Sequence, residues 1–392
     1  MVRKILGITG SRADFGLMIP VFQKITQSPD LDLDLVVTGM HLLPEFQDSL
    51  GEIVKSNLCR MHHISMVLGE DSGKAMAQSL GLAIFGIAEV IESVKPDIIL
   101  LQGDRAEMLA GAIAAAHTNT PICHMSGGDY SGSIDDVTRN AISKFAHIHL
   151  TTCESSGQRL LAMGEKAGRI FKVGEPGLDV IKQMQYIPPA ELAKEFRLDL
   201  TRPLLLATQH PVTTETDQAA WQMTQILEAL TELDIQTVFT YPNTDAGGRE
   251  MARVLRKYQN QDFLRIIPHL GSVKYLSMMR IASVLVGNSS SGIIEAPFFR
   301  LPVVNIGTRQ YGRLRACNVI DTGYHKAEIV KAIFRALQDP FFRETLQHDC
   351  VNPYGDGTAA PKTIVLLSHL KLGPELINKW MDKNEERLVE EK

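Results

Sequence analysis

Short apolar runs alternate with helix-like stretches along most of the chain, and this alternation limits the possible folds more than any other feature. Strands that are buried on both faces have nearly continuous apolar sequences, and parallel neighbours need crossover helices between them. The sequence therefore predicts an α/β fold with parallel sheets. The predicted strands are residues 4–9, 33–38, 98–102, 121–125, 147–151 and 170–173 in the first half, and 203–207, 236–241, 264–267, 284–286 and 303–306 in the second. The predicted helices between them include residues 75–93, 106–117, 217–233, 248–258, 272–280 and 292–298.

A polar stretch with two prolines, at residues 181–191, interrupts the alternation and is typical of an interdomain linker. A chain of 392 residues is also long enough for two cores. We expect two doubly wound domains, residues 1–182 and 183–364. A C-terminal helix at about 365–392, with a frayed charged end after Lys383, could pack back on the first domain.

Charge and cysteine usage argue against several classes of protein. The net charge of -5 provides no basic field for nucleic acid. The five cysteines are scattered without a CxxC pair, and His147 and His149 lack a third ligand at a fitting spacing, so no metal site is indicated. The first apolar run is too short for a signal peptide, and no later run is expected to span a membrane. We expect a cytoplasmic protein.

The segment 100–144 concentrates charge beside two predicted strand ends. Carboxylates in such a place can transfer protons, and arginines can hold a phosphate. Asp135 and Arg139 lie four residues apart on a predicted helix, where a modest ion pair is the default interpretation, and Asp135 or Asp136 could simply cap that helix. The residues in question are Asp104, Arg105, His124, Asp129, Asp135, Asp136 and Arg139.

Two strand-to-helix turns have the composition of anion sites. GITGSRADFG places Arg12 at a predicted helix start, where a phosphate contact and a plain surface arginine are equally good interpretations. GNSSSG contains Ser289 and Ser290, and its three serines between two glycines exceed what a helix cap needs, which favours phosphate. Glu295, one turn later, could bind ribose hydroxyls or be a solvated helix residue.

Three further strand ends carry polar side chains. His210 in QHPVTTE could bind a phosphate, transfer a proton or be a packed core histidine. Asn243 lies in YPNTDAGGRE, and GTRQYGR offers Arg309 and Arg313.

Together these strings resemble the hydrolysing UDP-N-acetylglucosamine 2-epimerases of sialic acid synthesis. The matching strings run in the family's order from Thr9 to Arg313: TGSRADFG, VTGMH, GDR, HMSGGDYSGSIDD-xx-R, HPVTTE, YPNTDAGGRE, GNSSSG-xx-E and GTRQYGR. The resemblance implies a GT-B fold, in which two Rossmann-like doubly wound domains face a central cleft that holds a nucleotide sugar. It also implies a homodimer or homotetramer that needs neither a metal nor a redox cofactor.

The resemblance also assigns residues to roles. It maps the acid/base set to Asp104, Asp135 and Arg139. Ser126 stands where the family string carries a glutamate, so Asp129 or Asp136 is expected to supply that carboxylate, unless a shifted substrate requires a different group. His210 is kept as a catalytic candidate because it could transfer a proton. The residues placed around UDP are Arg12, Arg105, His210, Asn243, Ser289, Ser290, Glu295 and Arg309.

The implied reaction is elimination of UDP from UDP-N-acetylglucosamine to a 2-acetamidoglucal, followed by hydration to N-acetylmannosamine. The nearest alternative is the same reaction on a UDP-2,4-diacetamido-trideoxyhexose, as in legionaminic acid synthesis. A non-hydrolysing 2-epimerase, a GT-B glycosyltransferase and a non-catalytic nucleotide-sugar sensor are further alternatives.

Overall fold

The computed structural model describes residues 2–43, 47–68, 72–131, 135–243 and 245–379. The chain divides into two compact units: unit 1 is Met1–Lys182 with Tyr354–Lys392, and unit 2 is Gln183–Pro353. The predicted frayed helix end after Lys383 lies outside the described residues.

Unit 1 is built on a parallel sheet that has seven strands in the described ranges. The strand order β3-β2-β1-β4-β5-β6-β7 reverses direction between β1 and β4, which is the hallmark of a doubly wound sheet. The strands are β1 Arg3–Thr9, β2 Leu31–Thr38, β3 Arg60–Ile64, β4 Ile98–Gln102, β5 Ile122–Met125, β6 Ile148–Thr151 and β7 Ile170–Lys172.

Helices cover both faces of this sheet. Successive β4 residues point to opposite faces, so Ile98 and Leu100 join one apolar core while Ile99 and Leu101 join the other. Both faces of β4 are therefore buried, which explains why Ile98–Leu101 form a continuous apolar run. The helices of unit 1 are α1 Arg12–Gln27, α2 Gln47–Ser56, α3 Gly73–Val94, α4 Ala106–His117, α5 Asp135–Phe145, α6 Glu154–Ala162 and, at its junction with unit 2, α7 Pro176–Gln183.

Helix α3 corrects one expectation, because its length and composition alone would allow it to cross a membrane. The core helix of a soluble protein passes the same test. Ala83, Ile87 and Ile91 of α3 pack into the core beside β4, whereas Met76 and Phe85 are 72% and 70% exposed.

Unit 2 repeats the doubly wound plan with six parallel strands in its described part, in the order β10-β9-β8-β11-β12-β13. Its strands are β8 Leu205–Thr208, β9 Thr237–Thr240, β10 Leu264–Ile267, β11 Val284–Gly287, β12 Val303–Ile306 and β13 Val319–Thr322. Its helices are α8 Pro189–Phe196, α9 Ala219–Leu233, α10 Gly248–Arg256, α11 Gly271–Ile281, α12 Ser291–Ile294, α13 Lys326–Gln338 and α14 Pro340–His348.

The chain returns to unit 1 after Tyr354 and forms α15 Ala359–His369 and α16 Pro374–Ile377. The buried Asp179 carboxylate accepts the amide hydrogens of Ala359 and Ala360 at 2.9 and 3.0 Å, which caps the start of α15. Arg169, also buried, donates to the carbonyls of Glu375 and Leu376 at 2.8 Å each. The returning segment is therefore part of the polar framework of unit 1.

The predicted α/β class with parallel sheets is confirmed, and most predicted elements are found within a few residues of their bounds. Two strands were missed, β3 and β13, and each lies at the edge of its sheet. The predicted helix 292–298 is wrong as one element: α12 ends at Ile294, and a 3₁₀ turn follows at Ala296–Phe299.

Candidate active-site residues

Asp104 lies in the turn that follows β4, and a buried histidine fixes that turn. His124 of β5 has its Nε2 2.7 Å from the Gly103 carbonyl and its Nδ1 3.0 Å from the Ser143 hydroxyl. Burial lowers the pKa of His124 to about 3, so the ring is neutral. It donates from Nε2 to Gly103 and accepts from Ser143 at Nδ1. The sequence placed His124 near the same strand ends without assigning it a role; in the structure it supports Gly103, the residue beside Asp104.

Arg139 of α5 brings three of the predicted acidic residues together. Its guanidinium pairs with the Asp104 carboxylate, lies 3.0 Å from Asp136 Oδ1 and donates to the Asp129 carbonyl at 2.9 Å. The side chain of Arg139 is only 9% exposed, so this pairing takes place largely out of water. We refer to Asp104, Asp129, Asp136 and Arg139 as the acidic cluster.

The electrostatic environment of Asp104 suits proton transfer. Burial raises the pKa of Asp104, the charge of Arg139 lowers it and the charge of nearby Asp135 raises it again, with a net rise above the usual 3.8. Asp135 is exposed at the first residue of α5. Two carboxylates close enough to influence each other can take opposite roles as acid and base.

The Asp129 side chain is oriented by hydroxyl groups. Its Oδ1 accepts from Thr152 Oγ1 at 2.6 Å and from Ser156 Oγ at 2.5 Å. Gly128 has a φ of +74°, and a Cβ there would lie 2.2 Å from the Ser156 carbonyl. The turn thus requires glycine so that Asp129 can reach these hydroxyl groups.

Ser126, the residue in the position of the family's glutamate, has an unusual backbone. Its φ is +63°, it is 5% exposed, and its Oγ has no hydrogen-bond partner among the residues that the structure describes. A non-glycine residue in the left-handed region is strained, and an unpaired buried hydroxyl is unfavourable.

We expect Ser126→Gly to stabilise the protein by about 1 kcal/mol, because relief of strain and loss of the buried hydroxyl outweigh the added entropy of the unfolded chain. Urea unfolding monitored by circular dichroism measures the difference. Ser28→Gly is the matched control, since Ser28 has a φ of −81° that any residue adopts. Equal destabilisation of both variants would contradict the strain at Ser126.

The two predicted phosphate-binding arginines of unit 1 have carboxylate partners. Arg105 donates from Nη2 to Glu107 Oε1 at 2.9 Å and from Nε to Oε2 at 3.2 Å. The Arg12 side chain is 66% exposed and pairs with Glu52. A Cβ at Gly10 would lie 2.5 Å from the Glu107 carboxyl group, so that glycine in the first motif is explained by Glu107. The predicted UDP contacts of Arg12 and Arg105 stay predictions.

In unit 2, Asn288 holds His210 in place through both ends of its side-chain amide. Its Oδ1 accepts from the His210 amide at 2.7 Å, and its Nδ2 donates to the His210 carbonyl at 2.8 Å. Asn288 is fully buried directly after β11. Sequence reasoning concentrated on the serines of GNSSSG and missed this asparagine, although its place between a strand-end glycine and three serines was visible.

The His210 ring is a neutral hydrogen-bond donor. Its Nδ1 accepts from the Asn243 amide at 3.0 Å, which leaves the proton on Nε2. Burial and the charge of Arg309 lower the pKa of His210 to about 4. Near neutral pH this arrangement suits an uncharged hydrogen bond to a phosphate oxygen better than an ion pair. The Asn243 Oδ1 has no partner among the described residues.

Two arginines lie close together beside these residues. Arg309 Nη1 donates to the Asn288 carbonyl at 3.1 Å, and Gln310 Nε2 donates to the same oxygen at 2.8 Å. The pKa of Arg309 is lowered by burial and by the charge of Arg313. A bound anion would relieve this repulsion, which favours a phosphate group at this end of the unit 2 sheet.

The GNSSSG turn differs from the expected helix N-terminus. Ser289 Oγ accepts from the Ser291 hydroxyl at 2.8 Å, and Tyr275 OH lies 2.7 Å from that same hydroxyl. Ser290 is the residue before α12, which has only four residues, so its dipole contributes little to anion binding. Any phosphate binding by Ser289 and Ser290 would depend on their own hydroxyl and amide groups.

Glu295 follows α12 with a buried and unsatisfied carboxyl oxygen. Its Oε2 has no partner in the described part of the chain, and burial raises the pKa of Glu295 to about 7. A carboxyl group in this state gains from a ligand hydroxyl. Within the described ranges, no three His, Cys, Asp or Glu side chains converge as metal ligands.

Comparison with known proteins gives one family. A family model described as UDP-N-acetylglucosamine 2-epimerase matches residues 23–368. The chain is 39% identical, over 97% of its length and 99% of the relative's, to the UDP-N,N'-diacetylbacillosamine 2-epimerase (hydrolyzing) of Legionella pneumophila. It is 37% identical to the UDP-N-acetylglucosamine 2-epimerase of Neisseria meningitidis, over 86% of this chain and 88% of that one. It is 36% identical to the GDP/UDP-N,N'-diacetylbacillosamine 2-epimerase (hydrolyzing) of Campylobacter jejuni, over 82% and 84%.

A solved structure supports the same fold. The crystal structure of a UDP-GlcNAc 2-epimerase from Neisseria meningitidis bound to UDP-GlcNAc matches with a TM-score of 0.72, covering 92% of this chain and 98% of that one. At 18% identity this likeness establishes the fold alone. The predicted GT-B-like fold with two Rossmann-like domains is confirmed.

Proposed function

Because this chain belongs to the UDP-N-acetylglucosamine 2-epimerase family, we propose that it is a hydrolysing 2-epimerase that converts a UDP-2-acetamido sugar to UDP and the free 2-epimer. The observation that carries the proposal is the 39% identity, over almost the whole chain, to a relative named as a hydrolysing 2-epimerase. The acidic cluster of unit 1 and the paired arginines of unit 2 fit the two halves of such a reaction.

The proposed chemistry is an elimination followed by hydration. The hydrogen on carbon 2 is not acidic, so its removal is coupled to the departure of UDP. The bond between carbon 1 and the diphosphate oxygen breaks, and UDP takes the electron pair of that bond. Asp104 takes the proton from carbon 2, and a 2-acetamidoglycal forms. Water then adds its hydroxyl to carbon 1 while carbon 2 regains a proton on the opposite face, with Asp135 as the second acid/base. Arg139 orients the Asp104 carboxylate.

Unit 2 is proposed to stabilise the leaving diphosphate. Arg309 and Arg313 provide positive charge, and the uncharged His210 donates a hydrogen bond from Nε2. Glu295 accepts a hydrogen bond from a ribose hydroxyl group. Arg12, Arg105, Asn243 and the hydroxyl groups of Ser289 and Ser290 stay in the proposed UDP-binding set.

For the substrate we propose a UDP-2,4-diacetamido-trideoxyhexose, which sequence analysis placed second. Two of the three relatives described above carry the diacetylbacillosamine name, including the one that matches almost the whole chain. UDP-N-acetylglucosamine, with N-acetylmannosamine as product, is the second candidate, and the Neisseria meningitidis relative at 37% identity favours it.

Incubation of the purified protein with each UDP-sugar in D₂O, followed by NMR, tests the proposal. We expect UDP and a free 2-epimer with one deuterium on carbon 2, and a higher kcat/KM for the diacetamido sugar. A 2-epimer still joined to UDP would indicate the non-hydrolysing reaction. UDP release that depends on an added acceptor would indicate a glycosyltransferase, and binding without turnover a sensor.

We also propose that the protein works in the cytoplasm as a homodimer or homotetramer. Its described cysteines are all free thiols, as is usual in a reducing compartment. The exposed Met76 and Phe85 on α3 fit a self-association surface. We expect Phe85→Glu to reduce the molar mass measured by light scattering after gel filtration. An unchanged mass would place the interface elsewhere or leave the protein a monomer.

A further inference from the structure

Glu215, the last residue of the HPVTTE string, binds three side chains, and two of them, Thr308 and Tyr324, are distant in the sequence. Its Oε1 accepts from the Thr308 hydroxyl at 2.5 Å, and its Oε2 accepts from Tyr324 OH and from Gln222 Nε2, each at 2.8 Å. Burial alone would raise the pKa of Glu215, but these bonds outweigh it and lower the pKa below the usual 4.5. The carboxylate is charged at neutral pH and accepts hydrogen bonds from uncharged hydroxyl and amide groups.

Two of the donors, Thr308 and Tyr324, connect Glu215 to the loop that carries Arg309. Thr308 is the residue before Arg309, and its backbone amide lies 3.3 Å from Tyr324 OH. Gly307 has a φ of +80°, and a Cβ there would lie 2.1 Å from the Tyr324 ring. Tyr324 therefore packs directly against Gly307 at the start of the loop, and Glu215 binds the hydroxyl group of the following residue, Thr308.

These contacts link the proposed diphosphate-binding residues His210 and Arg309 to each other through two separate routes. Glu215 lies five residues after His210 in the chain and is bonded to Thr308. Arg309 donates to the Asn288 carbonyl, and the Asn288 side chain binds the His210 backbone on both sides. Any shift of the Arg309 loop must therefore also disturb the segment between His210 and Glu215.

We propose that Glu215 is a positioning residue, which fixes the Arg309 loop relative to His210 so that both meet the diphosphate without a reorganisation step. The inference rests on the proposed function, because it assumes that Arg309 and His210 contact UDP. Preorganised donors bind a charged leaving group more tightly than mobile ones, since less ordering is needed on binding.

Glu215→Gln and Thr308→Val are expected to raise KM for the UDP-sugar, and Kd for UDP in calorimetry, by about tenfold, with kcat changed less than about threefold. Thr308→Ser keeps the hydroxyl group and should restore wild-type KM. The double variant Glu215→Gln/Thr308→Val should bind more tightly than the product of the two single effects would give, because the Glu215–Thr308 bond is affected in both single variants. Glu250→Gln, at an exposed carboxylate paired with Arg253, is the control and should change nothing.

The outcomes separate the two proposals. If wild-type protein binds no UDP, the proposed function fails and this inference fails with it. If wild type binds UDP and Glu215→Gln and Thr308→Val bind it equally tightly, only the inference is overturned. Loss of UDP binding in Thr308→Ser as well would also overturn it, because the hydroxyl group would then not be what matters.

Discussion

Replacement of Asp104 by Asn is expected to lower kcat by about 10²–10⁴-fold, the usual contribution of a general acid or base. The amide keeps the shape of the carboxylate but cannot accept the proton from carbon 2. UDP release by the purified variant measures the effect, and incorporation of deuterium at carbon 2 should decline in parallel. Because burial raises the pKa of Asp104, the wild-type rate should fall on the acidic side at a higher pH than an ordinary aspartate would give.

The control is the same substitution at the other end of the strand. Asp97, just before β4, accepts from the Lys4 amide at 2.8 Å, far along the strand from the acidic cluster. Asp97→Asn should leave kcat within about twofold, because Asp97 lies away from the acidic cluster. It should also leave the protein folded, since a solvent-exposed hydrogen bond contributes only about 1 kcal/mol to stability. Full turnover by Asp104→Asn would refute its role, and full turnover by Asp135→Asn would refute the second assignment.

Replacement of Gly287 by Ala is expected to have the largest effect on folding. Gly287 ends β11 with a φ of +124°, and a Cβ there would lie 2.0 Å from the Thr208 carbonyl oxygen. Since that oxygen belongs to the backbone of β8, the two central strands of unit 2 would have to separate. We expect a loss of about 3–5 kcal/mol in the free energy of unfolding, from steric overlap and backbone strain together.

Gly271→Ala separates these two causes. Gly271 also has a positive φ, +70°, but a Cβ at this position would have no atom of the described residues within 4 Å. Its replacement should reduce stability by only about 1 kcal/mol, the contribution of backbone strain alone. Urea unfolding of both variants gives the comparison. Equal losses would show that the contact with Thr208 does not matter.

Every central strand of the two described sheets was predicted, and so were the edge strands β7 and β10, whereas the edge strands β3 and β13 were missed. β4, β11 and β12 are almost entirely apolar, with Gln102 and Asn305 as the polar exceptions, because helices cover both faces, so their sequences identify them. β3 reads RMHHI and β13 reads VIDT, and both are partly exposed. An edge strand pairs on one side only and tolerates polar residues, so its sequence resembles a loop.

The candidate site shows a similar division. Charged residues, such as Asp104 and Arg309 after strands and Arg139 in α5, were visible as motifs. The neutral residues that hold them, His124, Asn288 and the partners of Glu215, act through contacts between distant parts of the chain. The sequence can suggest that such a side chain is buried, but it does not show which backbone carbonyl or hydroxyl group that side chain will contact.

The return of the chain to unit 1 has a consequence for synthesis on the ribosome. Unit 2 is continuous in sequence, so it can complete its core as soon as its last strand and helices have emerged. Unit 1 begins first but must wait for α15 and for the carbonyls that Arg169 binds. The half of the molecule that carries the acidic cluster is therefore made first and finished last, and until then the surface that α15 will cover is open to chaperones and proteases.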